Sequence, residues 1–225
     1  MAPIGKLYGH PRQPQTKAIL SAAAISGLEI DLLPFEFGVT NKSPEFTQKF
    51  PLAKIPAFED SEGFKLIEGT AIARYVSSLV PDAGILGRNI KETARVDQWV
   101  HFAETEIHLP SSNIYLGMIA KHLPAFSEEQ HKHYKERAER SLKFLEDYLA
   151  SRPSGLLVND SLTLADIVLA MAVQRAGQTV CGVKEREQVY PHVYAHFAKV
   201  TNDERIKQVF GEPGFVDEPL AFKAE

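Results

Sequence analysis

Two regimes of hydrophobic patterning divide the chain. Over the first eighty residues the apolar segments are short and separated by Gly and Pro. Ile4–Tyr8 is apolar and runs into Gly9, Pro11 and Pro14, which predicts a strand entering a loop. Thr16–Ser26 is rich in Ala, carries Ile19, Ala22, Ala23 and Ile25 near helical spacing, and is followed by Gly27, a natural residue to end a helix. Glu29–Phe37 predicts a second strand, and Pro34 confines it to an edge or a strand end. The polar stretch Asn41–Phe50 leaves room for a short helix. Ile55–Phe58 and Phe64–Ile67 flank a Gly-containing turn and predict a hairpin, and Thr70–Leu79 predicts a helix. The order is β-α-β-(α)-β-β-α.

Val80–Gly84 breaks that pattern, and only helical signals follow. Val96, Trp99, Val100 and Ala103 form one stripe within Lys91–Ile107. Leu142, Leu145 and Leu149 form another within Glu128–Leu149. A third helix starts at Thr163, and shorter ones cover Pro191–Ala198 and Asp203–Phe210. Thr163 and Asp166 have capping-box spacing, a structural motif whose loss is expected to cost about 1 kcal/mol. The fold class expected is a small α/β domain (residues 1–80), a linker (81–88) and an all-α domain (89–225).

Composition narrows the chemistry. The 225 residues are 44% hydrophobic and 24% charged, which excludes a disordered chain, a collagen and a disulfide-stapled miniprotein. The net charge of −4 gives no electrostatic reason to expect nucleic acid or an anionic membrane. Cys181 is the single cysteine, so an internal disulfide and a CxxC motif are impossible, and it reads as a buried small apolar residue. His131 and His133 are two apart and face different ways on a helix, so no metal site is expected there or with His122. No apolar run is long enough to span a bilayer, and the first residues lack a secretory signal pattern. The expected setting is the cytoplasm.

Four segments together carry a resemblance. GKLYGHP, KIPAF (Lys54–Phe58), LIEGTAI (Leu66–Ile72) and SLTLADI (Ser161–Ile167) resemble landmarks of the glutathione transferase superfamily, which has a thioredoxin-like domain followed by a helical one. Within it, TNKSPEFTQKFPLAKIPAFEDSEGFKLIEGTAIARYV, QWVHFAETEI and FVDEPL are similar to the transferase-like N-terminal module of translation elongation factor 1B gamma.

The resemblance implies a tripeptide site. A cis bond before Pro56 turns the strand so that the backbone of Ile55 meets the cysteinyl part of glutathione. Glu68 pairs with the γ-glutamyl ammonium, and the helix start at Gly69 and Thr70 receives its carboxylate. Lys42 and Lys54 match positions that contact the glycine carboxylate. The family pattern has Ser where this chain has Gly69, which removes a hydroxyl donor. The catalytic hydroxyl of serine-type relatives falls at Gln13. The candidates for activating the thiol are therefore Arg12 and Gln13, with Tyr8 as the tyrosine-type alternative; the Arg12–Gln13 loop is favoured. A small electrophile is expected in a pocket between the domains, lined by Ile114, Tyr115 and Met118. The implied activity is conjugation, with glutathione as co-substrate, no other cofactor, and a homodimer. The alternative is a non-catalytic scaffold that binds the exchange subunit of elongation factor 1B.

Overall fold

A computed structural model describes residues 2–222. The chain divides into two compact units: one runs to Leu86 and takes in Glu204–Val209, and the other spans Gly87–Asp203 and continues from Phe210.

The first unit is built on a four-stranded sheet in the order β2-β1-β3-β4. β1 (Gly5–Tyr8) lies parallel to β2 (Asp31–Leu33) and antiparallel to β3 (Ala57–Asp60), which pairs antiparallel with β4 (Lys65–Ile67). Glu29–Phe37 yields only three strand residues. Pro34, with no N–H to donate, follows directly, and β2 is an edge strand. Alternation along the strands separates two apolar layers. Leu7 and Phe58 are fully buried, as are Ile19 and Ala22 of α1 (Pro14–Ile25) and Ile72, Ala73 and Val76 of α3 (Gly69–Ser78). Tyr8 and Ala57 belong to a second cluster with Phe46 of α2 (Pro44–Lys49), Phe50, Phe35 and Ile55. Gly27, at φ +67°, follows α1 in the left-handed conformation that its lack of a Cβ permits.

The second unit is helical. α4 (Ile90–Phe102) does not stop near Ile107 as its stripe suggests; it passes through a π-helical turn, Ala103–His108, into α5 (Leu109–Met118). Pro110 sits in the first turn of α5. A proline lacks an N–H and its ring crowds the carbonyl four residues back, so the wider turn accommodates it without ending the helix. α6 (Glu128–Ala150) starts with a capping box: Ser127 Oγ accepts from the Gln130 N–H, and Gln130 Oε1 accepts from the Ser127 N–H. Trp99, Phe102, Phe144 and Tyr148 pack ring to ring, with Trp99 and Tyr148 centroids 4.4 Å apart.

α7 (Leu164–Gly177) is the buried centre of this unit, and Asp166 in its first turn does more than cap it. Oδ2 accepts from the Thr163 N–H and hydroxyl at 2.9 and 2.6 Å. Oδ1 accepts from the Leu157 N–H at 2.9 Å and meets His196 Nε2, on α8 (Pro191–Thr201), at 3.0 Å. Burial pushes this carboxyl's pKa up, but the His196 contact and the other donors outweigh it and hold it below the usual value. A second carboxylate, Glu146 on α6, accepts from the His192 and Val193 N–H groups and so ends the open first turn of α8.

The 1 kcal/mol assigned to Asp166 as a cap is therefore too small. Removing it strands a buried imidazole and three other donors, and Asp166→Ala is expected to cost about 3–5 kcal/mol in urea unfolding. Because the folded pKa is depressed, the contribution is fully present above the unfolded value near 3.8 and is lost as pH falls below it. The stability difference between wild type and Asp166→Asn should shrink as pH falls below 4.

Candidate functional site

A groove of about 170 Å³ in the first unit is lined by Gln13, Gln15, Phe50, Leu52, Lys54, Ile55, Pro56, Ile67, Glu68 and Gly69. Three segments build it: the loop into α1, the turn before β3, and the β4–α3 junction. The Ile55–Pro56 peptide bond is cis.

Gln13 ties two of these segments together. It is the N-cap residue of α1, but its side chain caps nothing. Its Nε2 donates to the Ile55 carbonyl at 2.9 Å, and its Oε1 accepts from the Thr16 hydroxyl at 2.9 Å. A primary amide carries two N–H bonds, and the second has no partner among the described residues. Gln13 thus presents one N–H donor at the start of α1.

Glu68 joins the third segment. It is the N-cap residue of α3 and holds φ +67° and ψ 110°, a left-handed conformation that a residue with a Cβ adopts at a cost of about 1–3 kcal/mol. Its carboxylate is exposed and has no partner among the described residues. Lys54 is likewise exposed and unpaired there. The groove therefore brings together an anion and a cation, neither with a partner among the described residues, at the N-terminus of a helix.

Gly69 explains its own departure from the family pattern. A Cβ at this position would lie 2.6 Å from Gln15 Cβ and 3.3 Å from Pro56 Cγ. Gln15 Cβ is fixed to the α1 backbone, so a Ser here requires helix movement rather than a rotamer change. Gln15, which sequence reasoning missed, fills the space beside the bare glycine.

Other expected site residues lie elsewhere. Tyr8 packs edge-on against Phe46 and Phe50, and its hydroxyl meets Glu59 at 3.4 Å and Lys49 at 3.3 Å. Its phenol belongs to the Lys49–Glu59 ion pair (2.7 Å), where Lys49 holds the Glu59 carboxyl below its usual pKa, and it does not line the groove. Arg12 is an exposed turn residue whose backbone N–H donates to His10 Nδ1, and it too lies outside the lining. Lys42 ends a turn of 3₁₀ helix at Thr40–Lys42, and Thr70 is the second residue of α3; neither lines the groove. Of the catalytic candidates only Gln13 lines the groove. Among the electrophile-pocket candidates, Ile114 is fully buried in the helical core and cannot line an open pocket, whereas Tyr115 and Met118 are partly exposed. Burial pushes the Cys181 thiol up to about 12, so it is inert as a nucleophile.

The glutathione S-transferase N-terminal domain matches residues 3–78 and the C-terminal domain matches residues 113–211. The chain belongs to the glutathione S-transferase family. It is 34% identical over 218 residues to the glutathione S-transferase-like protein LUC7 of Fusarium sp, covering 96% of this chain and 97% of that one. It is also 34% identical over 209 residues to elongation factor 1-gamma of Artemia salina, covering 92% of this chain but only 46% of the relative. The chain thus spans about half of that elongation factor. Among solved structures it superposes on the transferase-like domain of elongation factor 1-gamma from Saccharomyces cerevisiae with a TM-score of 0.82, 22% identity, and coverage of 98% of this chain and 99% of that one. Among the described residues no helix is long and apolar enough to cross a membrane.

Two substitutions test the groove's construction. Glu68→Gly should relieve the backbone strain and raise stability by about 1 kcal/mol in thermal or urea unfolding. Gly69→Ser, although it restores the family's hydroxyl, should destabilise by about 1–3 kcal/mol because Gln15 blocks the Cβ. A stabilised Gly69→Ser would contradict the close approach described here.

Proposed function

We propose that the chain is a glutathione transferase that joins the glutathione thiolate to a small electrophile. The observation that carries this reading is Glu68: a strained residue with an unpaired carboxylate, set at the N-terminus of α3 in a groove that also holds Lys54. Glutathione carries complementary groups at both ends. Its γ-glutamyl ammonium suits Glu68, and the neighbouring carboxylate suits the positive N-terminal end of α3. Its glycine carboxylate suits Lys54.

The cysteinyl sulfur then lies along Ile55, toward Gln13. The second amide N–H of Gln13 and the positive N-terminal end of α1 stabilise a thiolate and lower its pKa. The thiol proton passes to water. The sulfur lone pair forms the new C–S bond while the leaving group departs with its electron pair, or adds to an activated double bond whose carbanion takes a proton from water. An amide is a weaker donor than a hydroxyl, and half of this one is spent on Ile55. That favours a slow transferase, and it is also what supports a second reading: a scaffold of the elongation factor 1-gamma kind, which binds an exchange subunit and not a substrate.

The same proposal includes a cytoplasmic homodimer. Leu52, 60% exposed, lies beside Ile67 of the edge strand β4, 40% exposed, and a second copy would cover this edge.

Retention on immobilised glutathione, lost in Glu68→Ala and weakened in Lys54→Ala, is the expected result; a wild-type chain that flows through sinks the reading. With 1-chloro-2,4-dinitrobenzene, Gln13→Ala should lower kcat by about 10²-fold and raise the apparent thiol pKa, while Gln13→Ser should recover or exceed wild-type turnover. Retention without turnover in wild type and Gln13→Ser alike, with capture of an exchange factor, selects the scaffold.

A further inference from the structure

The helical unit contains a cation that no carboxylate among the described residues neutralises. Arg175 lies in the last turn of α7, with its guanidinium 3.7 Å from the centre of the Tyr115 ring on α5. Its Nε is buried and lacks a hydrogen-bond partner, and among the described residues no carboxylate forms an ion pair with it. Stacking on Tyr115 and the carbonyl end of α7 both favour positive charge here. Neither provides an acceptor for Nε, and an unpaired buried donor is costly.

Neighbouring groups complete a polar cluster. The Ser112 hydroxyl meets His108 Nε2 at 3.2 Å, one turn before Tyr115. Burial, and then the charge of Arg175, push the His108 pKa down to about 4, so the ring is neutral at pH 7. The site therefore carries a single positive charge. His108, Ser112, Tyr115 and Arg175 are all partly exposed.

We propose that Arg175, seated on Tyr115 and flanked by Ser112, is an anion-recognition site that selects electrophiles bearing one carboxylate. The planar guanidinium fork matches a carboxylate in two parallel hydrogen bonds, and one positive charge suits a monoanion. The word electrophile rests on the transferase reading; the binding of a carboxylate does not. The proposal assigns a substrate class to Tyr115, whose sequence position suggested only an apolar pocket wall.

The matched probes are 4-chloro-3-nitrobenzoate and its neutral analogue 4-chloro-3-nitrobenzamide, titrated calorimetrically into the whole protein without glutathione. Wild type should bind the benzoate at least tenfold more tightly than the amide. Arg175→Met should abolish that preference and leave amide affinity unchanged, and Arg175→Lys should retain part of it. Equal wild-type affinities, no binding of either probe, or a preference that survives in Arg175→Met would each overturn the proposal; the wild-type comparison alone decides if a variant fails to fold. Retention on immobilised glutathione separates the two claims. Benzoate preference without retention removes the transferase reading and keeps the anion site, whereas retention without preference removes the anion site alone.

Discussion

Three stretches of chain distant in sequence converge on the bare backbone of Gly69. Gln15 of α1 and Pro56 of the turn before β3 press so closely on it that no side chain fits. The hydrogen bond from Gln13 to Ile55 fastens the first two stretches to each other, and the Glu68 backbone delivers the third at an angle only a left-handed conformation gives. The groove follows from this convergence. Its charges sit on the same segments, so moving any one of the three displaces either the acidic end, the basic end or the amide between them.

How much of this could be read from the chain varies with the kind of signal. Strands, helices and the two-part organisation follow from local patterning, and KIPAF and LIEGTAI mark two of the groove's segments because their punctuation is local too. Gln15 left no such mark. It is an ordinary polar residue in a helix, and its role exists only because α1 and α3 meet; the single trace in the sequence is Gly69 where a Ser is usual. Tyr8 went the other way. Strand alternation fixes which face it points to, and Phe46 and Phe50, forty residues on, decide that this face is apolar. Lys42 and Ile114 show the same limit: position in the sequence discloses neither that Lys42 lies outside the groove nor that Ile114 is fully buried.

Buried carboxylates organise the helical unit in a comparable way. Asp166 joins the start of α7 to Leu157 and to His196 of α8, and Glu146 of α6 closes the start of α8. Each serves a helix terminus and a tertiary contact at once. Capping-box spacing disclosed the first function of Asp166 and could not disclose the second, because His196 lies thirty residues away. Arg175 is the counterexample in the same unit, a half-buried charge for which the fold provides an aromatic seat and no counter-ion.

The choice of a carboxamide at position 13 has a chemical corollary. A phenol ionises in alkaline medium, and a cysteine at that place is consumed by peroxide. The Gln13 side chain does neither: it has no proton to lose in the range proteins survive and no sulfur to modify. Whatever it contributes to the groove, it contributes unchanged through swings of alkalinity and peroxide exposure that would silence a tyrosine or a thiol in its place.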